Sequence, residues 1–401
     1  MPDTTTPQPA PSARSRSSHP LLLRSYYFFF YAALGCSAPF INLFFDKVLH
    51  FSGKQIGSVT SVRLMMLVVA PPIWGIVSDK LRGARLLMAI GLGVSAVALM
   101  LFGVVTVYWQ VLLLMLFLAF FNAPLFPLID SVTFGYLAEH PRTTYGRIRC
   151  AGSVGFVFAS ICLWLVLSKT TDLRVAFYAA AASSVVALVL VSGLPAVKVK
   201  SRGFIARRAV RLFLRRDLLV LTLCGVVGRG AMEGYYSFFS IYLDGQGFDD
   251  RWIGLVWALG PIAETPFIFY SERLIGALGI RGVFGLGLAA IVVRLFVLSL
   301  EPSAAIILMS QALHALTLGA IFIGGLIYVD RRTPEDLRAS AQSIFTALML
   351  GAGGAVGSLT AGVFVDAVGV PAMMRIHSVI AAAALIAFMV FFRPMTAGQT
   401  E

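Results

Sequence analysis

Eight ionisable residues stand inside otherwise apolar stretches of this chain: Arg63, Asp130, Arg149, Arg229, Glu233, Glu264, Arg294 and His314. At bilayer depth each costs at least ~2.5–3.5 kcal/mol on insertion scales, so each needs a charged partner or a watery cavity, and such residues mark solute and proton pathways. Arg229 and Glu233 are one helical turn apart and can neutralise each other along one face. His314 is of the type that titrates near neutrality and suits a proton relay. Glu264 has no charged neighbour in its own segment and is bracketed by Pro261 and Pro266, which predicts an irregular helix around the carboxylate. Glu264 is therefore the first candidate for a proton or substrate site. No other chemistry finds its parts. The five histidines (19, 50, 140, 314, 377) have no metal-ligand spacing, and no nucleophile–base set stands out, so neither an enzyme, a metal nor a cofactor is expected.

The elements that must position these groups follow from composition. The chain has 401 residues, 58% of them hydrophobic and 13% charged, about half the charge density of a soluble domain. A soluble globule is excluded. The net charge of +13 comes from short basic clusters between apolar runs, not from one basic face, so nucleic acid is not the expected partner. A bilayer core of roughly 30 Å takes about 20 helical residues. Twelve stretches qualify: 24–48, 54–78, 85–106, 109–138, 145–168, 173–193, 217–243, 252–273, 281–300, 303–329, 340–366 and 371–392. The expected fold is an all-α integral membrane protein with twelve transmembrane helices in two six-helix bundles.

Basic residues then set orientation. With the N-terminus inside, the cytoplasmic segments hold Arg14, Arg16, Arg24, Lys80, Arg82, Arg85, Arg142, Arg147, eight more from Lys198 to Arg216, and Arg273, Arg281, Arg331, Arg332, Arg338 and Arg393. The other side has only Lys47, Lys54, Lys169, Arg174 and Arg251. Positive residues in short loops resist translocation, which predicts a multi-pass protein of the inner (cytoplasmic) membrane with both termini in the cytoplasm. The domain reading is a disordered cytoplasmic tail (1–23), an N-terminal bundle (24–193), a basic central loop (194–216), a C-terminal bundle (217–393) and a short tail (394–401). Cys36, Cys150, Cys162 and Cys224 all fall inside spans and read as packing thiols.

Depth can be read from hairpin symmetry, because residues equally far from a shared turn lie at one level when the helix rises 1.5 Å per residue. Asp130 matches Arg149 on this test, Glu233 matches Glu264, and Arg294 matches His314. Asp130 and Arg149 are expected to be able to face each other, as are Arg294 and His314. Glu233 and Glu264, if close, would repel and favour sharing a proton. Arg63 lies near the midplane.

The halves also repeat. Phe51-Ser52-Gly53-Lys54-Gln55-Ile56-Gly57 matches Phe248-Asp249-Asp250-Arg251-Trp252-Ile253-Gly254. Gly75-Ile76-Val77-Ser78-Asp79-Lys80-Leu81-Arg82-Gly83-Ala84-Arg85 resembles the G-x-x-x-D-[RK]-x-G signature of the major facilitator superfamily, with Gly83 one place later than the family's glycine. The resemblance covers roughly 370 residues with the spans and central loop included. It implies that Asp79, Lys80, Arg82 and Arg85 form a conformational latch. Tyr145-Gly146-Arg147-Ile148-Arg149-Cys150-Ala151-Gly152 resembles the start of helix five in the lactose-permease branch. On that likeness Arg149 corresponds to the substrate-binding arginine and Asp130 to its acidic partner, while Arg294 and His314 resemble the pair on helices nine and ten. Thr317 stands where that branch carries a proton-bearing glutamate, so proton transfer falls to Glu264, Glu233 or His314. The phenylpropionate-permease and nucleoside-symporter-like group is a closer likeness. It shares Tyr26-Tyr27-Phe28-Phe29-Phe30-Tyr31, Pro71-Pro72 with Trp74-Gly75, and Gln311-Ala312-Leu313-His314-Ala315-Leu316-Thr317. Aromatic stripes of this kind usually pack or face lipid, with lining of a ligand cavity as the alternative.

Four arginines (63, 149, 229, 294) against three acids (130, 233, 264) leave one cation that a carboxylate would complete. The expected function is secondary active transport of a small organic anion, an aromatic acid among the candidates, by alternating access and proton symport. The partners are that solute, H+ and the lipid bilayer, with the protein a monomer. Arg149, Asp130, Arg63 and Arg229 are the substrate-binding candidates, and Glu264, Glu233, His314 and Arg294 the proton-coupling ones. Proton-driven drug or metabolite efflux and sugar or nucleoside symport are the alternatives.

Overall fold

A computed structural model describes residues 19–81, 83–140, 143–194 and 207–393. The backbone there is helical almost throughout, as apolar runs in lipid require: with no water to satisfy peptide groups, each segment must satisfy its own. The first half holds α1 (Pro20–Lys47), α2 (Gly53–Leu81), α3 (Ala84–Phe102), α4 (Tyr108–Ala138), α5 (Tyr145–Leu167) and α6 (Arg174–Val191). A short basic helix, Arg207–Leu212, precedes α7 (Arg216–Gly245). The helical run Asp250–Leu298 is divided at Gly279 (φ 65°) into α8 (250–278) and α9 (280–298). After α10 (Ala304–Arg332), the segment Glu335–Phe391 is divided at Gly369 (φ 80°) into α11 (335–368) and α12 (370–391). A positive φ is where only glycine turns without a steric penalty, and both breaks use one. Twelve long helices result among the described residues.

Boundaries shift by a few residues from the sequence reading at several spans. The first helix reaches back to Pro20, inside the stretch read as a tail, while residues 1–18 lie outside the described residues. The central loop contains the Arg207–Leu212 helix, with 195–206 outside the described residues, as are 394–401. The eighth span continues past residue 273 to Gly279.

One end of the bundle holds the first and last described residues, and the far end holds the α1–α2 and α7–α8 turns. The halves meet along two related seams, α2 on α11 and α5 on α8. The glycines of the internal repeat sit one on each. Gly57 lies against Ser358 and Gly362, so close that a Cβ would stand 2.5 Å from the Ser358 carbonyl oxygen, and Gly254 lies against Phe40 and Ser160. Ser358 Oγ donates to the Gly57 carbonyl at 3.0 Å.

Further contacts between the halves gather at the far end. Lys47 pairs with Asp244 (2.9 Å) and Asp250 (3.0 Å), Asn42 donates to the Ser237 carbonyl, and Ser240 donates to the Pro39 carbonyl. Asp366 accepts from the backbone N–H of Gly53 (2.5 Å) and Lys54 (3.1 Å), placing a carboxylate on the positive N-terminus of α2. From Val69 to Ile73, by contrast, α2 shows exposed apolar residues, including both prolines. At the far end the two halves are thus clasped together.

Candidate functional site

Within the first half, Asp130 of α4 is held by two tyrosines. Tyr27 donates to Asp130 Oδ1 at 2.6 Å and Tyr145 donates to the same oxygen at 2.9 Å, while Tyr27 also meets Thr133 at 3.2 Å. Arg149 of α5 does not ion-pair with Asp130. Its guanidinium lies over the Tyr31 ring (4.0 Å to the centroid), near the Tyr27 ring (5.7 Å), and donates to the Tyr31 hydroxyl. Matched depth brought Asp130 and Arg149 to one site, but α1 stands between them with its tyrosines. Part of the Tyr26–Tyr31 cluster therefore lines this site instead of only packing. Phe126 closes over Tyr31 edge-on at 5.6 Å and remains partly open.

Between the halves, Glu233 of α7 is 2% exposed and takes two guanidiniums: Arg229 at 2.5 Å on its own helix and Arg63 at 3.8 Å from α2. Arg63 is 46% exposed although its partner is buried, so its side chain opens into the space between the halves. Arg229 also lies 5.0 Å from the Tyr236 ring centroid, and the Tyr236 hydroxyl is 3.3 Å from His314 Nδ1. The other imidazole nitrogen, Nε2, is 3.8 Å from Glu264 Oε2. A chain of polar groups thus runs from Arg63 on one half through Glu233, Arg229, Tyr236, His314 and Glu264 of the other.

The depth-matched residues find other partners. Glu233 does not meet Glu264; each finds a cationic or protonatable partner on another helix, as burial of a carboxylate demands. Arg294 does not meet His314. It is fully buried, donates to Tyr235 (2.6 Å) and Gln311 (2.8 Å), and sits over the Tyr235 ring at 4.3 Å. The irregular backbone predicted around Glu264 is absent there, because α8 carries both Pro261 and Pro266 without leaving helical geometry. It appears in α10 instead, where a 3₁₀ turn (Gln311–Leu313) and a π-helical stretch (Ala315–Ile323) flank His314. Such local changes of helical pitch cluster at functional sites.

Of the latch residues, Arg82 and the side chains of Asp79 and Lys80 lie outside the described residues. Arg85 donates to the Leu194 carbonyl just past the end of α6, a cation on a helix C-terminus. Tyr27, Tyr31, Tyr145, Tyr235, Tyr236 and Gln311 complete the site and were not singled out as site residues from sequence. Tyr27, Tyr31, Tyr145 and Gln311 stood within the family-like motifs, and Tyr235 and Tyr236 follow Glu233 after Gly234.

Residues 21–376 match the model of the MFS_1 like family. The chain belongs to that family. Among curated relatives of this MFS_1-like chain, the uncharacterized transporter YwbF of Bacillus subtilis (strain 168) is 24% identical, over 91% of each chain. The probable 3-phenylpropionic acid transporter of Escherichia coli (strain K12) is 25% identical, over 92% of this chain and 95% of that one. The crystal structure of the nucleoside transporter NupG superposes with a TM-score of 0.84 at 21% identity, covering 94% of this chain and 99% of that chain. This MFS_1-like protein is therefore a multi-pass membrane transporter with the major facilitator fold.

Proposed function

We propose that the protein is a proton-coupled symporter of a small organic anion carrying an aromatic ring, working by alternating access. The observation that carries this reading is the sharing of one buried carboxylate, Glu233, by two guanidiniums from opposite halves. A substrate carboxylate arriving in the cleft supplies the second anion, and Arg63, half-exposed there, is placed to receive it. Arg149, stacked on Tyr31 beside Phe126, offers a second cation within an aromatic wall that suits a planar ring. The nearby Glu264–His314 pair, on the other half, is the proton site: either group can hold a proton that the other attracts.

Rocking of the halves about this midplane site exposes it to one side at a time. Arg63 and Glu233 then separate or close as the halves move, so filling the cationic side with substrate biases the equilibrium between states. The protein works in the inner membrane as a monomer, with both termini cytoplasmic, so the clasped far end faces away from the cytoplasm.

The test is uptake into proteoliposomes under an imposed pH gradient, comparing aromatic carboxylates with neutral sugars and nucleosides. Carboxylate accumulation driven by inward proton flow is expected. Equal transport of neutral solutes without response to the gradient overturns the reading. Nucleoside symport is the second reading, favoured by the extent of the structural match to NupG. It predicts that the nucleoside arm alone accumulates.

A further inference from the structure

The face of the α2–α11 seam at the far end carries a cavity of about 400 Å³ that none of the transport chemistry uses. Its lining is Lys54 from the first turn of α2 and Leu359, Thr360, Val363 and Phe364 from α11. The groove is therefore apolar along its length with one cation at its mouth. Lys54 is exposed, and its ammonium has no carboxylate within ion-pairing distance among the described residues. The nearest acid in the chain's own design, Asp366, is committed to the backbone N–H groups of Gly53 and Lys54. Position along the helices sets the level: Lys54 is at the end of α2, where lipid headgroups lie, and Leu359 is further into the hydrocarbon depth along α11.

We propose that this groove is a binding site for an anionic phospholipid, with one acyl chain along Leu359, Val363 and Phe364 and the headgroup phosphate on Lys54. Charge complementarity selects the occupant. An acyl chain alone fits the apolar wall but leaves the ammonium unpaired, whereas a phosphate alone leaves the wall exposed; a phospholipid satisfies both. The site is shared between halves, because Lys54 belongs to one and the wall to the other. It exists as a unit only while α2 and α11 are closed at the far end, next to the Asp366 clasp. Bound lipid therefore favours that state by mass action.

Native mass spectrometry of the detergent-purified protein titrated with phosphatidylglycerol reads this directly, with phosphatidylcholine and inorganic phosphate as the comparison probes. The expected result is a saturable phosphatidylglycerol adduct, weakened about fivefold or more in Lys54→Gln, as loss of one basic contact to an anionic headgroup implies. Val363→Trp, which fills the groove without touching the charge, should weaken the same adduct. Thermal unfolding of both variants without added lipid checks that they are folded. Equal binding of phosphatidylglycerol and phosphatidylcholine, unchanged binding in Lys54→Gln of normal stability, or equally strong binding of inorganic phosphate would each overturn the proposal. If Lys54→Gln does not fold, the Val363→Trp comparison decides it alone.

Discussion

Arg63 Nη2 of the first half stands 3.8 Å from Glu233 Oε1 of the second, and the opposite oxygen of that carboxylate is 2.5 Å from Arg229. One buried anion thus serves an intrahelical partner and a partner on the other half. The two arginines differ in burial, and their substitutions should differ in kind. Removing Glu233 strands Arg229 in the interior, so Glu233→Gln should lower stability by about 3–5 kcal/mol. The double replacement Arg229→Met/Glu233→Leu should recover most of that, because no uncompensated charge remains. Thermal unfolding of the purified variants measures both.

Arg63→Gln should behave oppositely. Its side chain is half-exposed, so the unfolding temperature should stay close to that of the parent protein while substrate affinity falls. Calorimetric titration with the transported anion separates the two effects. A parallel loss of stability and binding would show that Arg63 is a structural cation only.

Arg149 should not tolerate lysine. The guanidinium is planar, stacks on Tyr31 and can fork onto a carboxylate, whereas an ammonium does neither as well. Arg149→Ala should abolish substrate binding and Arg149→Lys should fail to restore it. Arg24→Ala, at the rim of α1, should bind normally. Tryptophan-fluorescence titration of the three variants provides the comparison.

Glu264→Gln should uncouple transport from protons. A neutral amide keeps a polar contact with His314 but cannot release a proton at that position. Gradient-driven accumulation should disappear while exchange of labelled for unlabelled substrate continues. Loss of both modes to the same degree would place Glu264 in substrate binding instead.

Gly57→Leu should reverse the conformational preference. A Cβ at this position would stand 2.5 Å from the Ser358 carbonyl oxygen and 3.1 Å from Gly362 Cα, so the seam cannot close as it does here. Overpacking of this order costs about 1–3 kcal/mol, and only the closed far end pays it. Spin labels at Ser52 and Val368 should report a longer distance in the variant by electron–electron double resonance.

The crossings were legible in the sequence because the requirement behind them is one-dimensional: an apolar run long enough to span the hydrocarbon reads the same whatever surrounds it. Depth is one-dimensional too, and the expected level of each ionisable residue comes from counting along a helix. Azimuth and neighbours are not. Glu233 and Glu264 count to the same level, yet one turns to Arg229 and Arg63 and the other to His314, because α8 packs on α10 while α7 faces α2 and α11. Arg294 likewise took Tyr235 and Gln311 over His314. Tyrosines could not be told from packing aromatics in sequence, since a ring and a hydroxyl serve both roles; only the placement of α1 beside α4 and α5 brought Tyr27 and Tyr31 onto Asp130 and Arg149. Composition and helix periodicity thus determined that the chain crosses a membrane and which residues lie deep within it. Tertiary packing alone decided which of those residues meet, because a pairing depends on the rotation of each helix about its axis and on the choice of neighbour, and neither is encoded in distance along the chain.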